Sequence, residues 1–315
     1  MRKGRILLLA TVAGLLFIGV AVGIVAVSIT PLIPHEEIAT GFPPERFVPV
    51  DGRSVHVTET GDADEVLLFL HGFAASAYSF HRLTPHLSRD FRTVAIDLNG
   101  FGFSERPSAA DAYTIEGQVE TVLAAADYLD LRRFHVVGHS YGAAVAIRLA
   151  RTAPERTSSL ILVSPAPESE PPPAIWQSPP GRLLAYGMTR AVLSRPETFR
   201  SILAEAYHRD EVLTPQVAES YRARLLVSGL PDAFRGFSHA LSSSNGLDLR
   251  LPEVVPPVLV FAGKHDAIVP LEWCRTVAES VPSGQLVVLE ESGHSAPEEQ
   301  PEEMAESIHD FLGTL

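Results

Sequence analysis

With 315 residues and 46% hydrophobic content, the chain has ample apolar mass for a large buried core, which excludes a disordered protein. Its formal net charge of −13, with no clustered Lys/Arg stretch, excludes a nucleic-acid partner, because binding to a phosphate backbone rests on grouped cations. Cys274 is the one cysteine, so it closes no internal disulfide and has no second thiol with which to share a metal.

Arg2, Lys3 and Arg5 precede an unbroken apolar run from Ile6 to Val27, and His35, Glu36 and Glu37 follow it. The run is long enough to cross a bilayer as a helix, and the charge asymmetry puts residues 1–5 in the cytoplasm and everything after the run on the other side. A cleaved signal peptide, with the small residues Ala26 and Ser28 before the cut, is the competing reading and gives a secreted protein. Residues 28–44, proline-containing and without periodicity, read as a linker, and the folded domain spans 45–315.

Asp51-Gly52, between two strand-like runs, predicts a tight hairpin, since both turn positions need positive φ. Val66–Leu70 and Thr93–Ile96 are short continuous apolar runs and predict strands buried on both faces, with a helix over 78–87 between them. Thr114 caps a predicted helix to Leu131 that carries Val119, Val122, Leu123, Ala126 and Leu129 on one stripe. Strands are expected again at Phe134–Val137 and Leu160–Val163. Then prolines dominate, and Pro196, Pro215 and Pro231 mark helix starts within a helical insertion at about 165–250. Strands at Val258–Ala262 and Leu286–Leu289 and a last helix from Pro301 complete an alternation that predicts a mostly parallel sheet covered on both sides.

Gly138-His139-Ser140-Tyr141-Gly142 sits between the Phe134 strand and a small-residue helix. That is the strand–turn–helix setting of a nucleophile elbow, with glycines where nothing larger fits. A serine hydroxyl needs a base and the base needs an acid. Asp266 follows one later strand and His294 follows another, and in a parallel sheet all such ends share one edge. Two backbone N–H groups complete the expected machinery as an oxyanion hole: that of Tyr141, opening the helix after the nucleophile, and that of Phe73 in the His71-Gly72-Phe73 loop. No zinc ligand set is read at His135 and His139, and Gly100-x-Gly102 lacks the third glycine of a dinucleotide loop, so neither a metal nor a cofactor is expected.

From about Phe47 to Leu315 the chain resembles the α/β-hydrolase superfamily. The resemblance is carried by His71-Gly72-Phe73, Asp97 through Ser104, Gly138 through Gly142, Gly263-Lys264-His265-Asp266 and Gly293-His294. It implies an eight-stranded, mostly parallel sheet with helices on both faces and a helical cap over the site. It also implies Ser140 as nucleophile, Asp266 as acid, His294 as base, and a structural rather than catalytic Asp97. Ala143 departs from the pattern, standing where many relatives have a third glycine. With the amino-terminal apolar run, the chain is similar to membrane-bound monoacylglycerol-lipase-type hydrolases. A serine at the elbow argues against the dehalogenases and epoxide hydrolases of this fold, which use aspartate there.

The expected substrate is therefore a small-molecule ester, lipid-derived or otherwise apolar. Trp176, Met188, Phe199, Phe234 and Phe237 of the cap are candidates to line its cavity. A C–C bond hydrolase, a haloperoxidase-like enzyme and a catalytically silent binding protein on the same scaffold remain as alternatives.

Overall fold

A computed structural model of the protein describes residues 31–34, 37, 45–166, 178–243 and 249–315. The apolar run 6–27, most of the linker and Trp176 lie outside the described residues. Among the described residues no helix is long and apolar enough to cross a membrane.

Eight strands form one sheet: β1 (Glu45–Val50), β2 (Arg53–Thr60), β3 (Val66–Leu70), β4 (Arg92–Ile96), β5 (Phe134–His139), β6 (Thr157–Val163), β7 (Val258–Gly263) and β8 (Gly284–Leu289). Their spatial order is β1-β2-β4-β3-β5-β6-β7-β8. β2 runs antiparallel to both neighbours, and every pairing from β4 to β8 is parallel. The β1–β2 turn is made by Asp51 (φ 49°) and Gly52 (φ 75°), the two positive angles expected of that dipeptide.

The continuous apolar runs are explained by burial on both faces. In β3, Val66, Leu68 and Leu70 enter one apolar layer and Leu67 and Phe69 the other. β7 divides likewise, with Val258 and Val260 on one side and Leu259 and Phe261 on the other. Helices Ile115–Tyr128, Tyr141–Thr152 and Leu271–Ser280 cover the first face, and Pro301–Leu312 covers the second. Thr114 caps the first of these by accepting the Gly117 N–H at 3.1 Å. Cys274 lies in the first layer, where burial pushes its thiol up to about 12.

The expected helix over 78–87 is instead a 3₁₀ turn, Ala77–Phe80, and a separate single turn, Thr84–Leu87. Ser76 and Asp97 take the N–H groups of Tyr78 and Ala77, which starts the 3₁₀ turn early. Pro85, which has no N–H to donate, falls where a helix restarts rather than continues.

Between β6 and β7 the described residues include four α-helices of the cap: Pro179–Leu193, Pro196–Leu203, Pro215–Leu225 and Leu230–Ser243. Each carries proline in its first turn, and Ser178 and Thr214 cap the first and third by accepting N–H groups at 3.2 and 3.3 Å. The cap has its own apolar cluster, which includes Leu193, Phe199, Leu213 and Tyr221. Ile33 of the linker is bridged to the cap beside Val227, its N–H reaching the Leu226 carbonyl at 2.7 Å.

Candidate active site

The carboxyl ends of β3 to β8 meet at one rim. Ser140 leaves β5 with φ 52° and ψ −115°, a left-handed strain that a non-glycine residue holds only when its surroundings impose it. They do: the Ser140 N–H donates to the Val163 carbonyl at 2.9 Å, and the Ser140 carbonyl accepts from Ala143 at 3.0 Å and Ala166 at 3.2 Å. The flanking glycines are required by proximity. A Cβ at Gly142 would lie 2.1 Å from the Leu70 carbonyl oxygen, and one at Gly138 would lie 2.7 Å from Ala143 Cα. The helix can therefore start directly against β3.

Asp266 and His294 stand on the loops after β7 and β8. The His294 Nδ1–H donates to Asp266 Oδ2 at 2.8 Å, and both side chains are almost fully buried. Asp266 Oδ1 accepts the N–H groups of Ile268 and Val269, each at 2.8 Å. Burial pushes the Asp266 carboxyl up, but the hydrogen bond and charge of His294, with the Val269 N–H, outweigh it and hold the group below its ordinary range. An ionised Asp266 fixes the proton of His294 on Nδ1 and leaves Nε2 as the basic nitrogen.

His139, inside the elbow, ties the histidine loop to the serine. Its Nε2–H donates to the His294 carbonyl at 2.9 Å, and the two rings lie 4.8 Å apart. Burial, then the neighbouring His294, push the His139 imidazole down to about 3, so it is a neutral donor throughout the working range. Sequence reasoning gave it no role; its place between the two elbow glycines was the available signal.

On the other side of Ser140 lies the loop after β3. A Cβ at Gly72 would meet Ser140 Cβ at 3.2 Å, so the backbone leading to Phe73 runs beside the nucleophile position. Tyr141 begins the helix after the elbow, where N–H groups have no intrahelical acceptor. His71 holds the loop's root, accepting the Leu98 N–H through Nε2 at 3.0 Å and donating from Nδ1 to the Gly72 carbonyl at 2.8 Å. Asp97 is the second anchor. It accepts from Ala77 N at 2.6 Å, His56 Nδ1 at 2.7 Å and Phe103 N at 2.8 Å. Burial raises that carboxyl, yet His56 beside it holds it well below the usual carboxylate range, and its partners are backbone and a buried imidazole, as a structural residue requires.

Of the expected pocket residues, Phe237 is brought to the rim, its ring 5.2 Å from Phe73, 4.7 Å from Phe101, 5.0 Å from Tyr113 and 6.5 Å from Tyr141. The other described candidates have other surroundings. Phe199 is buried in the cap's own apolar cluster, Phe234 packs edge-on to Tyr186 at 5.7 Å, and Met188 is 52% exposed. No group of three or more His, Cys, Asp or Glu among the described residues is arranged to hold a metal ion.

Residues 65–301 match a family model described as the alpha/beta hydrolase fold. The 2-hydroxymuconate semialdehyde hydrolase of Pseudomonas putida is 30% identical over 233 residues, 71% of this chain and 78% of the relative. Monoacylglycerol lipase abhd6-A of Xenopus laevis is 28% identical over 264 residues, 79% of this chain and 75% of the relative. The crystal structure of a membrane phospholipase A, a bacterial virulence factor, has a TM-score of 0.70 and 26% identity, covering 100% of this chain and 99% of its own.

Proposed function

The chain belongs to the α/β-hydrolase fold family, and from that premise we propose that it is a serine hydrolase that cleaves carboxylic esters of apolar, lipid-derived character through an acyl-enzyme on Ser140. The observation that carries this reading is the strained Ser140 turn at the same rim as the hydrogen-bonded Asp266–His294 pair, with His139 joining the two loops.

In the proposed cycle His294 Nε2 takes the Ser140 proton as the oxygen attacks the ester carbonyl. The oxyanion that forms accepts from the Phe73 and Tyr141 N–H groups. Collapse expels the alcohol, which receives the proton from His294, and water then repeats the sequence to release the acid. Asp266 stays ionised and stabilises the imidazolium at each stage.

The aromatic wall of Phe73, Phe101 and Phe237 beside the elbow favours an apolar acyl or alcohol group. The lipase and phospholipase relatives agree with that chemistry. A retained membrane anchor over residues 6–27, with the catalytic domain on the non-cytoplasmic side, gives the enzyme direct access to such esters. It is supported by the apolar run and the basic residues before it. The second reading, hydrolysis of an activated C–C bond, is favoured by the Pseudomonas putida relative. Hydrolysis of monoacylglycerols and p-nitrophenyl esters of rising chain length separates them. A preference for medium or long chains, abolished in Ser140→Ala, is expected; turnover of a dienoate ketone substrate without ester turnover would favour the second.

A further inference from the structure

Two consecutive glutamates, Glu298 and Glu299, are each 1% exposed, an unusual burial for charged side chains. The Glu299 carboxylate meets four donors. Oε2 accepts the Gly293 N–H at 2.8 Å and lies 3.3 Å from the Ser292 hydroxyl, whose single proton it shares with the Gly293 carbonyl at 3.2 Å; both residues directly precede His294. Oε1 accepts the N–H groups of His208 and Arg209, each at 2.7 Å, from the cap segment that follows its second helix. Arg209 Nη1 also donates to the Glu299 carbonyl at 2.7 Å.

The junction continues on both sides of His294. The Ser295 N–H donates to the Ala206 carbonyl at 3.0 Å, and a Cβ at Gly293 would meet His208 N at 2.8 Å. The residues flanking His294 are therefore pressed against cap residues 206–208, and one carboxylate joins the two stretches of backbone.

We propose that Glu299 is a positioning residue that couples the cap to His294, so that the imidazole is held from the cap side as well as by Asp266. This rests on His294 being the general base. The cap is then part of the catalytic geometry: a displacement of residues 206–209 is transmitted to His294 through the Glu299 carboxylate. Glutamine has the same shape but one acceptor oxygen, and its NH₂ group would face N–H donors that it cannot satisfy. A small misplacement of a base costs rate rather than ground-state affinity.

The test is the kinetics of fluorophosphonate labelling of the full chain, compared among wild type, Glu299→Gln and Glu298→Gln, the last being an equally buried control. The expected result is a maximal labelling rate lowered ~10- to 100-fold in Glu299→Gln, with an unchanged half-saturating probe concentration, against less than about threefold in Glu298→Gln. Should Glu299→Gln not accumulate as folded protein, Ser292→Ala removes one donor, and a smaller loss in maximal rate alone is expected. Equal rates in wild type and the Glu299 or Ser292 variant, or a loss shared equally by Glu298→Gln, would overturn the positioning role. A wild type that takes no label overturns the serine hydrolase reading itself, and the positioning role with it.

Discussion

The sheet and the cap junction are held together by different chemistry. Around the sheet, alternate residues of β3, β6 and β7 enter two apolar layers, and contact there is almost wholly between hydrocarbon side chains. Where the cap meets the rim, buried polar groups share the contact with the aromatic cluster around Phe237. Tyr207 and Tyr221 both donate to Glu298 Oε1, and Tyr221 also reaches the Ser79 hydroxyl at 3.0 Å. Arg106 donates to the carbonyls of Ser228 at 3.1 Å and Arg224 at 3.2 Å, while Arg224 lies over the rings of Tyr78 and Phe103. Apolar layers resist pH and salt. A polar junction is directional, and its strength depends on protonation. The sheet is thus the fixed frame, and the junction is the part whose stability pH can alter.

The largest effect expected from breaking the rim without touching either region is Ser140→Ala, which lowers kcat ~10⁴-fold or more while thermal unfolding stays close to wild type. Truncating the frame should act oppositely. Phe261→Ala, at a fully buried position of β7, costs about 3–5 kcal/mol in chemical denaturation.

The junction should respond to pH where the frame does not. Burial pushes the Glu298 carboxyl up from 4.5 to about 7, against the pull of Tyr221 and Tyr207. The folded state therefore holds a proton that the unfolded state has released between those two values. Stability from this group is highest below about pH 4.5, falls as pH rises, and levels off above about 7. The loss is roughly 3 kcal/mol. Denaturation of wild type and Glu298→Gln across that window should diverge by that amount; parallel curves would remove the pH-sensitive junction. The smallest effect expected is in Ser140→Gly, which relieves the left-handed strain at the elbow and raises stability by about 1 kcal/mol, measured by the same denaturation.

The frame was legible in the sequence for the same reason that it is stable. Buried strands such as Val66–Leu70 are uninterrupted apolar runs, and the Asp51-Gly52 turn and the elbow glycines are local demands of the backbone. The junction was not legible. Pro297-Glu298-Glu299-Gln300 has the composition of a solvated turn, and what buries it comes from cap residues Tyr207 to Arg209, some 90 positions away. Phe199 and Phe237 both read as apolar cap positions. Periodicity tells that each faces something, but only the packing of the cap helices sends Phe199 into the cap and Phe237 to the rim. The single expected helix over 78–87 failed similarly, because Asp97, distant in sequence, captures the Ala77 N–H.

The central claim is that the Ser140 hydroxyl is the group activated by the Asp266–His294 pair, and mass analysis of the fluorophosphonate-treated protein tests it most directly. One adduct on the peptide containing Gly138 to Gly142, absent from Ser140→Ala and strongly reduced in His294→Ala, is the predicted result. An adduct on another residue, or labelling that persists in Ser140→Ala, would contradict it.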